Sequence, residues 1–130
     1  MLTLVIAAAL SQAASQAAPA PHWRLVHRAE GSEAFVDPAS LRRDGGRFEI
    51  DVRFIFARVQ PNGVKSMIAR HRYTCARQSV MVLDRRTFDV RGATLRHGRP
   101  DGPMARDLPA GGRSAHAAIL RGWCPARGRT

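Results

Sequence analysis

Residues 48–56 read Phe-Glu-Ile-Asp-Val-Arg-Phe-Ile-Phe, and the alternation in this stretch decides the fold. Phe48, Ile50, Val52, Phe54 and Phe56 fall on one side of an extended chain, with Glu49, Asp51 and Arg53 on the other. Period-two alternation of this kind marks a strand with one face buried and the other in water. Gln60-Pro-Asn-Gly then supplies turn chemistry, and a second strand is predicted over 64–76. Met67, Ala69, His71, Tyr73 and Cys75 share one of its faces, and Arg70, Arg72 and Thr74 share the other. Antiparallel pairing lays the Tyr73 and Cys75 face beside Phe48–Phe56, so Cys75 turns inward. On the outer face Glu49 and Asp51 are placed to pair with Arg70 and Arg72, each pair worth only about a few tenths of a kcal/mol.

Upstream, residues 22–28 and 33–37 read as two short strands joined through Gly31-Ser32. Pro38-Ala-Ser-Leu reads as a turn or a single helical turn, and Asp44-Gly-Gly as a tight turn. Downstream, Gln78–Asp84 is a third long strand, apolar on both faces at Val80–Leu83 and therefore central or covered. Arg86–Arg91 gives a further short strand, and 97–113, rich in Gly, Pro and charge, reads as a loop. Ser114 is a good N-cap for a helix over Ala115–Trp123, which puts His116, Ile119, Leu120 and Trp123 on one stripe to be buried against the sheet. Pro125 stops that helix just after Cys124. The class is therefore α+β: a single antiparallel β-sheet of about five to six strands with a C-terminal α-helix packed on it. Trp23, Phe48, Phe54, Phe56, Tyr73 and Trp123 are the expected core. One domain over 22–124 carries a flexible tail at 125–130, with no internal repeat and no linker.

Residues 1–20 hold no charged side chain, and the largely apolar run Leu2–Leu10 suits a signal peptide while being too short to span a bilayer. Small residues follow it, and cleavage falls between 13 and 20, with cuts after Ala17 or Ala13 chemically better than one before Pro21. The run also fits an apolar N-terminal element of the folded domain; the small residues behind it favour export. About 110 residues then remain, enough for one domain. Leu, Ile, Val and Phe make up only about a fifth of them, close to the composition at which chains stop folding. The chain has two cysteines, and an oxidising compartment allows Cys75 and Cys124 to pair. Closing a loop of about 50 residues is worth roughly 4 kcal/mol in the loop-entropy model, a large share of a small domain's stability. The pair is no redox motif, and no histidine pair completes a zinc site at recognised spacing.

The formal charge is +11, and Lys65 is the only lysine among the 21 basic residues. That bias, with abundant Ala and Gly, fits the codons of a GC-rich genome as well as a surface that attracts polyanions. The arginines are scattered, with only Arg42–Arg43 and Arg85–Arg86 adjacent, and few aromatics interleave with them as a single-strand stacking platform requires. Nucleic acid is not the expected partner. Nor do titratable groups converge on a reaction. His71 belongs to the inner strand face and His116 to the buried helix stripe, where each reads as a core histidine with a satisfied hydrogen bond. His22 and His97 read as solvated, Ser114 as a cap, and the carboxylates sit in turns or on exposed faces. No Gly-rich phosphate loop occurs in strand–loop–helix context. No catalytic residue, metal ligand or cofactor is assigned.

Several of these features recur in one order. Trp23 stands near the mature N-terminus, followed by Phe35-Val36-Asp37, Ser40-Leu41, an Asp-Gly turn and the long alternating strand. Tyr73-Thr74-Cys75-Ala76 leads into the next strand, and the final helix closes on Cys124. Over roughly 23–124 this pattern resembles the surface-adhesin protein E-like family of small exported bacterial proteins. The resemblance implies an antiparallel sheet with a docked C-terminal helix, tethered by a disulfide that maps onto Cys75 and Cys124. It implies a non-enzymatic exported binding or envelope protein, periplasmic, secreted or at the cell surface, whose partner is a protein or an anionic envelope or host component. The alternative is a periplasmic factor that binds an anionic polymer or lipid headgroups through its arginines. The resemblance carries over no ligand-binding residue.

Overall fold

The computed structural model describes residues 21–125; the leader expected at 1–20 and the tail expected after Pro125 lie outside the described residues. Six strands follow one another as a meander, each antiparallel to the next: β1 (Arg24–Ala29), β2 (Ser32–Asp44), β3 (Arg47–Phe56), β4 (Ser66–Thr74), β5 (Ser79–Phe88) and β6 (Thr94–Gly98). Gly31 and Gly45 close the two tightest hairpins at φ of 86° and 59°, backbone that a side chain resists. A short 3-10 helix, Gly102–Ala105, leads to β7 (Leu108–Pro109), which pairs with the start of β5, and the helix α1 (Ala115–Trp123) ends the domain. Ser114 caps α1, its Oγ accepting from Ala117 N at 3.1 Å.

The β3–β4 register matches the alternation. Phe48 pairs with Tyr73, Ile50 with His71, Val52 with Ala69 and Phe54 with Met67, all on the inner face. One buried cluster joins Val36, Phe48, Ile50, Val52, Tyr73 and Val80 to Ile119 and Leu120 of α1. Phe48 and Tyr73 stack at 5.1 Å within it. The Cys75–Cys124 disulfide, Cα to Cα 5.7 Å, joins the end of β4 to the end of α1. On the outer face Arg70 takes both carboxylates, at 3.0 Å from Asp51 and 3.4 Å from Glu49. Arg72 instead reaches the Met81 sulfur at 3.3 Å.

Five expectations need correction. Pro38–Leu41 is not a separate turn but a bulge within β2, where the register slips between Asp37 and Arg42. The turn chemistry is real, because Ser40 Oγ donates to the Asp37 carbonyl at 2.7 Å and accepts from Asp51 N at 2.8 Å. The strands expected over 78–84 and 86–91 are one strand, β5. Its pairs jump from His71↔Val82 to Arg70↔Asp84, so Leu83 is an extra residue, and beyond it Arg85 and Thr87 turn to the inner face. β6 takes in residues read as loop, and all five of its residues are exposed, so no alternation announced it. Trp23 is not in the core: it stays partly exposed with the outer-face Arg53 guanidinium 6.0 Å from its ring. Phe54 and Phe56 are only half-buried.

Reducing the disulfide, or replacing both cysteines by serine, is expected to lower the unfolding free energy by roughly 4 kcal/mol for its separation of 49 residues. Urea titration of the oxidised and reduced chain reads this directly; a loss below about 1 kcal/mol would show that packing alone holds α1.

Candidate binding groove

α1 has nine residues and is about 14 Å long, whereas β3 has ten residues and runs about 34 Å. The helix is therefore too short to span the inner face; its Ile119 and Leu120 join the core cluster, and His116 in its first turn meets Tyr73. Beside α1 lies a hollow of about 340 Å³, lined by Phe54, Met67, Ala69 and Val82, with His71 and His116 on the helix side and Arg85 opposite. It adjoins a second hollow of about 790 Å³, sharing Phe56, Met67 and Arg85, that extends past the Gln60–Val64 turn to Thr87, Leu95 and Arg96. Together they form one groove across the sheet from β3 to β6. Among the described residues no acidic side chain lines either part.

A polar cluster borders the groove where the closed core begins. The Tyr73 hydroxyl lies 3.1 Å from His71 Nδ1 and 3.0 Å from His116 Nδ1, and the two rings are 5.1 Å apart. A hydroxyl has one hydrogen, so Tyr73 donates to one imidazole and accepts an N–H from the other. The two histidines consequently hold opposite tautomers, and both are neutral. Burial, aided by the nearby His116, pulls the His71 pKa from 6.5 down to about 3. Burial also lowers the pKa of His116 and raises that of Tyr73. The cluster holds its protons firmly in place near neutral pH. Its bonding is internal, and among the described residues no carboxylate joins it.

The sequence placed His71 and His116 on inward faces, and the structure brings them together through Tyr73. His22 is exposed, and His97 lies on the surface, 3.1 Å from Asp84. Ser114 serves its cap. Among the described residues no three His, Cys, Asp or Glu side chains gather as a metal site. Arg85, Thr87 and Arg96 were missed as groove residues. The Leu83 bulge that brings Arg85 and Thr87 inward leaves no mark in the hydrophobic pattern.

Residues 23–120 match the model of the family described as surface-adhesin protein E. The chain belongs to that family. No curated protein and no solved structure matches it. Membership in the surface-adhesin E family implies an exported or cell-surface protein and points away from enzymatic activity. Among the described residues, no helix of this surface-adhesin E protein is long and apolar enough to cross a membrane.

The two histidines set an acid limit. Their folded pKa values lie below the unfolded 6.5, so their contribution is complete above pH 6.5 and is lost as the pH falls toward 3. Stability should fall in that window by on the order of 1.4 kcal/mol per pH unit for each proton taken up. Replacing His71 by Gln should flatten the slope in urea titrations from pH 7 to 4; an unchanged slope would mean the imidazoles are not the titrating groups. Tyr73→Phe should cost about 1–3 kcal/mol at pH 7 by leaving two imidazole nitrogens without their partner.

Proposed function

We propose that this protein is an exported, non-enzymatic binding protein of the bacterial surface or periplasm, and that it takes its partner in the groove beside α1. In this reading the leader is removed between 13 and 20, and 22–124 is the working domain. The helix, docked on the sheet, borders the site at His116. One observation supports this above others. Phe54 and Phe56 belong to the strongest apolar alternation in the chain, yet both are half-exposed at a concave surface. Such a surface is where a partner gains most from water removed.

A second reading, an envelope factor for an anionic polymer or lipid headgroups, draws on the arginines. Among the described residues carboxylates engage only Arg28 and Arg70 of them, against a net charge of +11. Salt separates the two, because binding through many phosphates or sulfates falls steeply between about 50 and 200 mM salt, whereas an apolar groove is indifferent.

The test begins with cell fractionation and N-terminal sequencing, which should find a shortened, oxidised chain outside the cytoplasm. Cells carrying the protein should then adhere to surfaces coated with host matrix or serum proteins more than cells lacking it. Met67→Arg, which places a charge on the groove floor, should abolish that difference while circular dichroism shows the fold retained. Adhesion that survives Met67→Arg but collapses with salt supports the polyanion reading. An uncleaved cytoplasmic chain with free thiols overturns both.

A further inference from the structure

The groove is not uniformly apolar, and its polar end is built in a particular way. Arg85 and Thr87 are two residues apart on the inner face of β5, about 7 Å along the strand. Thr87 pairs across the sheet with Arg96 of β6. Among the described residues no carboxylate holds Arg85 or Arg96. Thr87 is 9% exposed, yet its Oγ1 has no hydrogen-bond partner among the described residues. An unsatisfied buried hydroxyl costs about 1–3 kcal/mol and is relieved when an acceptor arrives. A half-buried guanidinium without a counter-ion asks for the same visitor: an anion with acceptor oxygens.

The rest of the groove asks for something else. From Arg85 toward α1 the lining is Met67, Ala69, Val82, Phe54 and Phe56, ending at two uncharged imidazoles. From β6 to Ser32 of β2 the groove crosses four strand intervals, about 19 Å at the usual spacing, of which three, about 14 Å, lie between Arg85 on β5 and Ser32. It is long, apolar along most of its run and cationic near one end. We infer that the groove binds a single-chain amphiphile with a carboxylate head, a free long-chain fatty acid, head at Arg85 and Thr87 and chain laid over Met67 toward Val82 and Phe54.

The head chemistry follows from the donor count. The guanidinium fork meets both carboxylate oxygens, and the Thr87 hydroxyl supplies a third hydrogen bond. Arg85 is the half-buried cation at the head and balances one negative charge, whereas Arg96 across from Thr87 is exposed and screened by water, so the greater charge of a phosphate is less well compensated there. The inference rests on the proposal that the open part of the inner face is the binding surface, and it names the ligand class.

Calorimetric titration of the purified, oxidised mature chain with hexadecanoate, kept below its micelle concentration, tests it. One saturable site with a Kd on the order of micromolar is expected. Hexadecyltrimethylammonium, with the same chain and the opposite charge, should bind at least about tenfold more weakly, and octanoate should lose affinity with its shorter chain. Arg85→Gln should weaken hexadecanoate about tenfold, and the isosteric Thr87→Val several-fold, with the outer-face variant Arg70→Gln unchanged. Absence of saturable binding, equal affinity for the cationic amphiphile, or indifference to both groove substitutions overturns the inference. Hexadecyl phosphate binding more tightly than hexadecanoate overturns the carboxylate assignment. The ligand arms use the unaltered chain, so a variant that fails to fold does not blunt the test. A protein that is exported and adhesive but ignores hexadecanoate sinks this inference alone. Hexadecanoate bound by a chain found reduced in the cytoplasm sinks the surface reading alone.

Discussion

The disulfide between Cys75 and Cys124 is the constraint on which the rest of the structure depends. It fixes the last residue of the helical segment to the end of β4, beside the Phe48–Tyr73 stack. The helix has no freedom to lengthen, because Ser114 caps its start and Pro125 follows its end. A helix of that length, pinned at that end, shares one buried cluster with Phe48, Ile50, Val52 and Tyr73, and Phe56 lies outside that cluster. The core is small because the cover is small. The staple compensates for the apolar area that a longer helix would have buried.

The boundary between closed core and open groove is made of polar groups for a physical reason. Residues under the helix are dry and residues beyond it are wet, so side chains at the border need an apolar body and a polar edge. Tyrosine and histidine both have this character. Tyr73 sits fully buried beneath the helix, His71 is almost fully buried, and His116 is half-buried in the first turn of α1. Their hydrogen bonds run between β4 and α1, so the same contacts that satisfy the buried nitrogens also hold the free end of the helix. Disulfide and cluster thus secure opposite ends of one short element.

The regular parts of this architecture were legible in the sequence. Alternation at 48–56 and 67–75 gave the central hairpin, its register and the inward turn of Cys75, and Ser114 and Pro125 bounded the helix. What escaped were features that local pattern does not encode. The Leu83 bulge inverts the phase of β5 midway, which made the strand look apolar on both faces and hid Arg85 and Thr87. At Pro38–Leu41 a turn signature appears inside a continuous strand, because Ser40 hydrogen-bonds across to β3 and lets pairing resume. β6 is an exposed edge with no buried side to pattern. Trp23 looked like core from its size alone, yet an aromatic ring is equally at home over a guanidinium on the outer face. The groove was invisible for a deeper reason: Phe54 and Phe56 have the same pattern whether or not a helix covers them, and coverage is a tertiary quantity.

The arginine excess separates along the same line. Drift toward GC-rich codons, if it operates, would place arginine where it is tolerated, on solvated surface, where the head stays in water and the stem lies on whatever is near. Arg24 over Trp123 and Arg43 over Phe48 fit that description. Arg70, bonded to Asp51 and Glu49, is the structural arginine of the outer face. Arg85 fits neither class. It is half-buried and points to the inner face because of a one-residue bulge, and among the described residues no carboxylate holds it and the buried hydroxyl next to it has no partner. Codon drift alone gives no reason for an unneutralised cation there, since burying charge is costly unless something pairs with it. The partner that would lower that cost lies outside the fold, and the groove is the path by which it reaches Arg85.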